Sequence, residues 1–240
     1  MKQIYEKDKD KYMPIIEHLN ELRTRIFFSF IIFIIASIIC ITYTKEIALI
    51  LQKPAIGIKF LQLAPGEYLF VSIKLAFYSA IIISSPFILY QMLQFILPGL
   101  TRKESLYLIP ILISSVILFF VGTFFCYTFL IPITLKFLIS YGSELIEPLW
   151  SFDEYFNFVT IVMLSTGICF QIPIIQIILG ITNIISWKTM LNKWKYVMFI
   201  ATVTGAIITP STDPITQICM TTTILILYFS GIIILKTIKT

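Results

Sequence analysis

Six stretches of this chain carry no Asp, Glu, Lys or Arg at all: residues 26–44, 75–101, 105–135, 155–187, 196–212 and 214–235. A helix needs about 20 apolar residues, at about 1.5 Å rise each, to cross about 30 Å of hydrocarbon. Four of the stretches meet that easily, 26–44 just meets it, and 196–212 does not plainly do so. Only 13% of the 240 residues are charged, while 58% are hydrophobic. A soluble domain of this length carries roughly a quarter of its residues charged, so lipid is the solvent this composition suits. The predicted fold is an all-α membrane protein with six transmembrane helices, the last two short, in one domain over 1–240. The expected spans are about 26–43, 69–97, 105–131, 155–181, 196–208 and 215–235, preceded by an amphipathic segment within 1–25 on the inner face.

Orientation follows from the basic residues. Of 18 Lys and Arg, 13 lie in the N-terminal segment, the 102–104 and 182–196 loops and the C-terminal tail. The loops 44–68, 132–154 and 209–214 hold four, and Lys74 stands near the outer end of the second span. The positive-inside rule then predicts both termini on the cytoplasmic side, or its stromal or matrix equivalent. The net charge of +5 thus reports topology and not nucleic-acid binding. The first 25 residues lack the apolar core and cleavage site of a signal peptide, so the first span is expected to serve as its own insertion signal.

Polar residues are few enough to exclude most chemistry. The one histidine, His18, allows neither a histidine metal cluster nor a His-based relay within the membrane. Cys40, Cys126, Cys169 and Cys219 are scattered singly through apolar segments and read as packing thiols. No enzyme activity, metal or cofactor is expected. A small secondary transporter is the alternative from another class, although such proteins show repeated halves and midplane ionisable groups. Here the deep polar residues are Gln171, Gln176 and some Ser and Thr.

Two carboxylates remain beside basic residues at the predicted inner face. Glu21 lies in His18-Leu19-Asn20-Glu21-Leu22-Arg23, on an amphipathic stretch where Ile15, Leu19, Leu22 and Ile26 share one helical face. Glu104 follows Arg102 and Lys103 just before the third span. The plain readings are an i,i+4 pair of Glu21 with Arg25 and a charge placed favourably at a helix N-terminus for Glu104. The other reading is that two carboxylates on one face receive two guanidinium groups, each bidentate and charge-assisted.

The run Ile16-Glu17-His18-Leu19-Asn20-Glu21-Leu22-Arg23-Thr24-Arg25 resembles the N-terminal signature of the TatC family, the multi-spanning receptor component of the twin-arginine protein translocase. The similarity continues through Ser85-Pro86-Phe87-Ile88-Leu89-Tyr90-Gln91, Phe95-Ile96-Leu97-Pro98-Gly99-Leu100 and Arg102-Lys103-Glu104. It runs on through Phe170-Gln171-Ile172-Pro173 to Thr209-Pro210-Ser211-Thr212-Asp213-Pro214. The resemblance implies a protein that binds the twin-arginine signal peptides of folded cargo. Glu21 and Glu104 would receive the arginines, with His18, Arg23 and Arg102 supporting them. It further implies single-span amphipathic partners of the TatA/TatB type, self-association, and transport driven by the proton-motive force. Gln171, Asp213, Phe95 and Pro86 fall in motifs tied to partner docking and transport. Many bacterial members place a glutamate at the position of Gln171. The glutamine here, with Leu63-Ala64-Pro65-Gly66-Glu67-Tyr68, resembles the cyanobacterial and plastid branch, which implies a plastid thylakoid membrane, or alternatively a bacterial inner membrane.

Overall fold

The computed structural model describes residues 15–55, 57–96, 108–142, 149–208 and 213–239. Among them, five helical runs are long and apolar enough to cross a membrane: Ile16–Thr42, Glu67–Phe95, Leu108–Tyr141, Phe152–Ile181 and Pro214–Ile238. A shorter apolar helix spans Trp194–Ile208, or about 22 Å for its 15 residues. Of the two helices expected to be short only this one is: the last runs 26 residues, because its polar start at Thr216 and Gln217 stays helical.

Helix α1 (Ile15–Thr42) leads directly into the short α2 (Thr44–Gln52), a strand β1 (Lys59–Leu61) and helix α3 (Glu67–Ile96). From Ile15 onward the expected amphipathic segment is continuous with α1; its earlier residues lie outside the described ones. Helix α3 runs unbroken through Pro86. A proline lacks the N–H that would bond the carbonyl four residues back; here that carbonyl, of Ile82, accepts the Ser85 hydroxyl at 2.7 Å.

Helix α4 (Leu108–Phe125) passes through a π-helical turn at Cys126–Leu130 into α5 (Ile131–Gly142). The sequence reading ended this span at 131; the helix continues because Leu135, Phe137 and Leu138 keep its apolar pattern going past Lys136. Loosening the turn just before Pro132 is a common way to pass a proline. Strand β2 (Leu149–Ser151) precedes α6 (Phe152–Cys169), and a break at Phe170-Gln171 separates α6 from α7 (Ile172–Ile181). The stretch expected as one helix over 155–181 is therefore two. Helix α8 (Trp187–Asn192), α9 (Trp194–Ile208) and α10 (Pro214–Lys239) complete the chain.

Close helix approach rests on glycines that accept large side chains, the usual device where lipid provides no hydrophobic drive between helices. Phe119 of α4 lies on Gly167 of α6, and Phe170 lies on Gly122 of α4. Leu235 of α10 fills the place of a side chain at Gly180 of α7.

The bundle has two distinct ends, named here for the carboxylates they hold. At the Glu67 end, β1 and β2 pair in parallel with Phe60 opposite Trp150. The largest buried cluster lies there, around Val71, Leu75, Leu130, Ile131, Phe156 and Val159. The Glu21 end carries the start of α1, the last turn of α3 and helix α8. Trp187 of α8 sits there between two ammonium groups, Lys188 at 5.6 Å and Lys236 at 5.5 Å from its ring.

Candidate functional site

The i,i+4 spacing of Glu21 and Arg25 lays a guanidinium over a carboxylate on one face of α1. Arg25 Nε donates to Glu21 Oε1 at 3.0 Å, and Nη2 donates to the same oxygen. The far side of the guanidinium reaches α3, where Nη1 donates to the amide oxygens of Gln91 at 3.2 Å and Gln94 at 3.4 Å. Gln94 Nε2 in turn donates to the Tyr90 hydroxyl at 2.8 Å. These amides stand at i,i+3 in the last turns of α3, so both can face the same cation.

The second oxygen of Glu21 is different. Oε2 is closed off from solvent and has no hydrogen-bond partner among the described residues. The His18 Nδ1 atom lies 3.8 Å away. The His18 ring is held by stacking on Phe95, with centroids 4.1 Å apart and planes 15° apart. Beside this cluster opens a groove of about 560 Å³ lined by Glu17, Asn20, Glu21, Thr24, Arg25, Phe28, Tyr90 and Gln91. A carboxylate with one oxygen unused, next to an open groove, can receive a cationic side chain; among the described residues around it there is no nucleophile paired with a base.

Of the residues singled out from sequence, His18, Glu21 and Phe95 therefore come together. Arg23 is on the same segment but exposed to solvent. Glu104 and Arg102 lie outside the described residues. Sequence reading assigned Arg25 only the bland pair and overlooked Gln91 and Gln94 as its partners. Their signal was two amides one turn apart at the end of an otherwise apolar helix.

The remaining singled-out residues lie elsewhere. Pro86 is half-buried within α3. Gln171 sits at the α6–α7 break, where its amide makes two bonds to α4. Ser115 Oγ donates to its Oε1 at 2.6 Å, and its Nε2 donates to the Ser115 carbonyl at 3.0 Å. Its hydrogen-bonding groups thus serve the bundle itself. Asp213 is buried and caps α10: Oδ2 accepts the Thr216 N–H at 2.8 Å and also the Thr216 hydroxyl. The Thr216 and Thr134 hydroxyls share a further bond at 2.7 Å, tying α10 to α5. All four cysteines are free thiols, three buried and Cys219 half-buried, as packing residues would be.

A cluster that sequence reading did not find occupies the Glu67 end. The buried Glu67 carboxylate accepts the N–H groups of Leu63 and Ala64 on one oxygen. Its other oxygen accepts the Asp153 N–H at 2.9 Å and the Ser151 hydroxyl at 3.2 Å. Lys74 Nζ meets Asp153 Oδ1 at 2.7 Å. Two tyrosine hydroxyls cap the last carbonyls of α2: Tyr155 donates to Leu51 at 2.6 Å, and Tyr127 donates to Ile50 at 2.8 Å.

Comparison with known proteins bears on what this arrangement serves. Residues 17–222 match the family model described as Sec-independent protein translocase protein (TatC). A tatC-like protein, ycf43, of Gracilaria tenuistipitata var. liui is 63% identical over 224 residues, covering 93% of this chain and 94% of that protein. The Sec-independent protein translocase protein TatC of Synechocystis is 52% identical over 223 residues, covering 93% and 88%. A crystal structure of the twin-arginine translocase receptor TatC superposes with a TM-score of 0.85 at 36% identity, over 93% of this chain and all of that one.

Proposed function

The chain belongs to the TatC family, and on that premise we propose that it is the signal-peptide receptor of a twin-arginine translocase. These relationships do not favour the small-transporter alternative. In this reading the protein is one membrane domain of six spans, with α9 as the short fifth, and both termini lie on the inner side with the Glu21 end. The excess of Lys and Arg in the segments at that end supports the orientation. Thylakoid residence is proposed from the resemblance of Gln171 and Leu63–Tyr68 to the cyanobacterial and plastid branch.

The observation that carries the reading is the half-used carboxylate of Glu21 beside an open groove. A signal-peptide arginine brings five N–H donors in a planar fork, which suits a carboxylate with free lone pairs. Glu104 would take the second arginine. His18, held by Phe95, positions Glu21, and Arg23 and Arg102 shape the potential around the pair. Single-span amphipathic partners would dock laterally along α9 and α10, where α9 is too short for an ordinary bilayer and the layer must thin. Asp213 holds the start of α10 for that contact, while Gln171, spent on Ser115, supports the neighbouring helix break. Movement of folded cargo would then draw on the proton-motive force.

The test is charge reversal. Glu21→Lys or Glu104→Lys should lower binding of a twin-arginine precursor roughly a thousandfold, since a charge pair broken on one side costs several kcal/mol. Both variants should insert in the membrane at wild-type levels. Unchanged precursor binding by either one removes that residue from the receptor site.

A further inference from the structure

Among the described residues, the cation bonded to Glu21 is the protein's own Arg25. We propose that Arg25 is a built-in occupant of the arginine-binding carboxylate, and that signal-peptide binding is an exchange of one guanidinium for another. This rests on the reading above, in which Glu21 receives a signal-peptide arginine.

Three features of the site point to exchange. Arg25 spends two donors, Nε and Nη2, on the single oxygen Oε1, which leaves Oε2 unpaired. A pair built only for stability would use both oxygens in the parallel fork that Arg and carboxylate prefer. Second, Arg25 already has somewhere to go. Its Nη1 rests on the Gln91 and Gln94 amide oxygens, so a guanidinium released from Glu21 keeps two acceptors and does not become an unpaired cation. Neutral amides bind a cation less strongly than a carboxylate does, so Glu21 is the resting place while no peptide is bound. Third, the groove runs alongside Arg25 and Glu21, so an incoming chain reaches the pair from the side.

The choice between cations comes from how each fits Glu21, and exchange sets how tightly either one binds. Arginine replaces Arg25 with an equivalent fork, and the charge at Glu21 stays the same. Lysine offers a compact point charge with three donors and no planar fork, so it displaces Arg25 poorly. Arg25 thus sets the affinity threshold: releasing it from Glu21 lowers the apparent affinity of every cationic peptide by the same factor. Gln91 and Gln94 are positioning residues that hold the displaced guanidinium.

The experiment measures binding of a twin-arginine signal peptide, and of the same peptide with both arginines changed to lysine, to the full-length protein in lipid nanodiscs. In Arg25→Gln, which frees Glu21, both peptides should gain affinity by the same factor, about tenfold, with the preference for arginine unchanged. Arg25→Lys, which keeps the charge but loses the fork, should raise both affinities by less. Lys193→Gln removes one positive charge at the same end and should leave both affinities as they are, which separates exchange from general electrostatics. Unchanged or lowered affinity for both peptides in Arg25→Gln overturns the exchange and makes Arg25 a structural strut. Glu21→Gln tests the underlying reading separately: wild-type binding of the arginine peptide by that variant overturns the role of Glu21 itself, whatever Arg25 does.

Discussion

Glu67 and Glu21 are both carboxylates at the ends of long helices, yet their surroundings differ in the way that separates a clamp from a receptor. Each oxygen of Glu67 accepts two hydrogen bonds, from Leu63 and Ala64 on one side and from Ser151 and Asp153 on the other. Those donors come from the segment after β1, the end of β2 and the start of α6, so a single side chain joins the cap. Glu21 places all of its bonding on one oxygen and leaves the other without a partner. Packing follows the same division. The main buried cluster gathers at the Glu67 end, whereas in α1 the only buried side chains among the described residues are Ala36 and Cys40. A saturated carboxylate in a packed cap has nothing left to offer a ligand. A half-satisfied one on a lightly packed helix does. The difference lies in the number of local donors, since both residues carry the same charge.

The comparison breaks most directly if the clamp proves dispensable. Glu67→Ala strips the acceptor from three backbone N–H groups and the Ser151 hydroxyl, and buried donors without partners are costly. The melting temperature of the purified protein should fall by about 5 °C or more. Signal-peptide affinity of the fraction still folded should stay within a few-fold of wild type. An unchanged melting curve would show that the cap does not depend on Glu67. Next in size is Tyr155→Phe, which removes one neutral hydrogen bond to the Leu51 carbonyl. The expected loss is about 1 kcal/mol, or about 2–4 °C in a chain of this length, read by the same thermal melt. A loss as large as that of Glu67→Ala would shift the centre of the clamp to the tyrosines. The smallest effect belongs to Lys74→Gln. Its pair with Asp153 is exposed at both partners, and exposed pairs contribute about 0–1 kcal/mol. Transport should remain within a few-fold of wild type, and a complete loss would give Lys74 a role that the cap geometry does not explain.

Much of the fold was legible because lipid imposes long charge-free runs, and those runs can be read one residue at a time. The helix from Leu108 to Gly142 outran its expected end at 131 because Lys136 breaks the charge-free run without breaking the helical pattern. The break at Phe170-Gln171 was hidden inside an apolar stretch, where Pro173 and the Gln171 bonds to Ser115 decide it. The candidate site was legible only in part. Glu21 and His18 stood out as polar residues beside a span, and their motif resembled a known family. Arg25 with Gln91 was not legible, because residues 66 positions apart meet only once α1 and α3 are packed. The Glu67 clamp was missed for the same reason: three of its four donors are backbone N–H groups, which no side-chain pattern reveals.

The most direct test of this division of labour is where a signal peptide touches the protein. A twin-arginine signal peptide carrying a photoreactive residue next to the arginine pair can be crosslinked to the full-length protein in bilayers, and the adducts mapped by mass spectrometry. The expected adducts fall within 17–28 and 90–95, and Glu21→Lys abolishes them. Adducts at the Glu67 end, or adducts in 17–28 that persist undiminished in Glu21→Lys, would contradict the assignment of receptor and clamp to these two carboxylates.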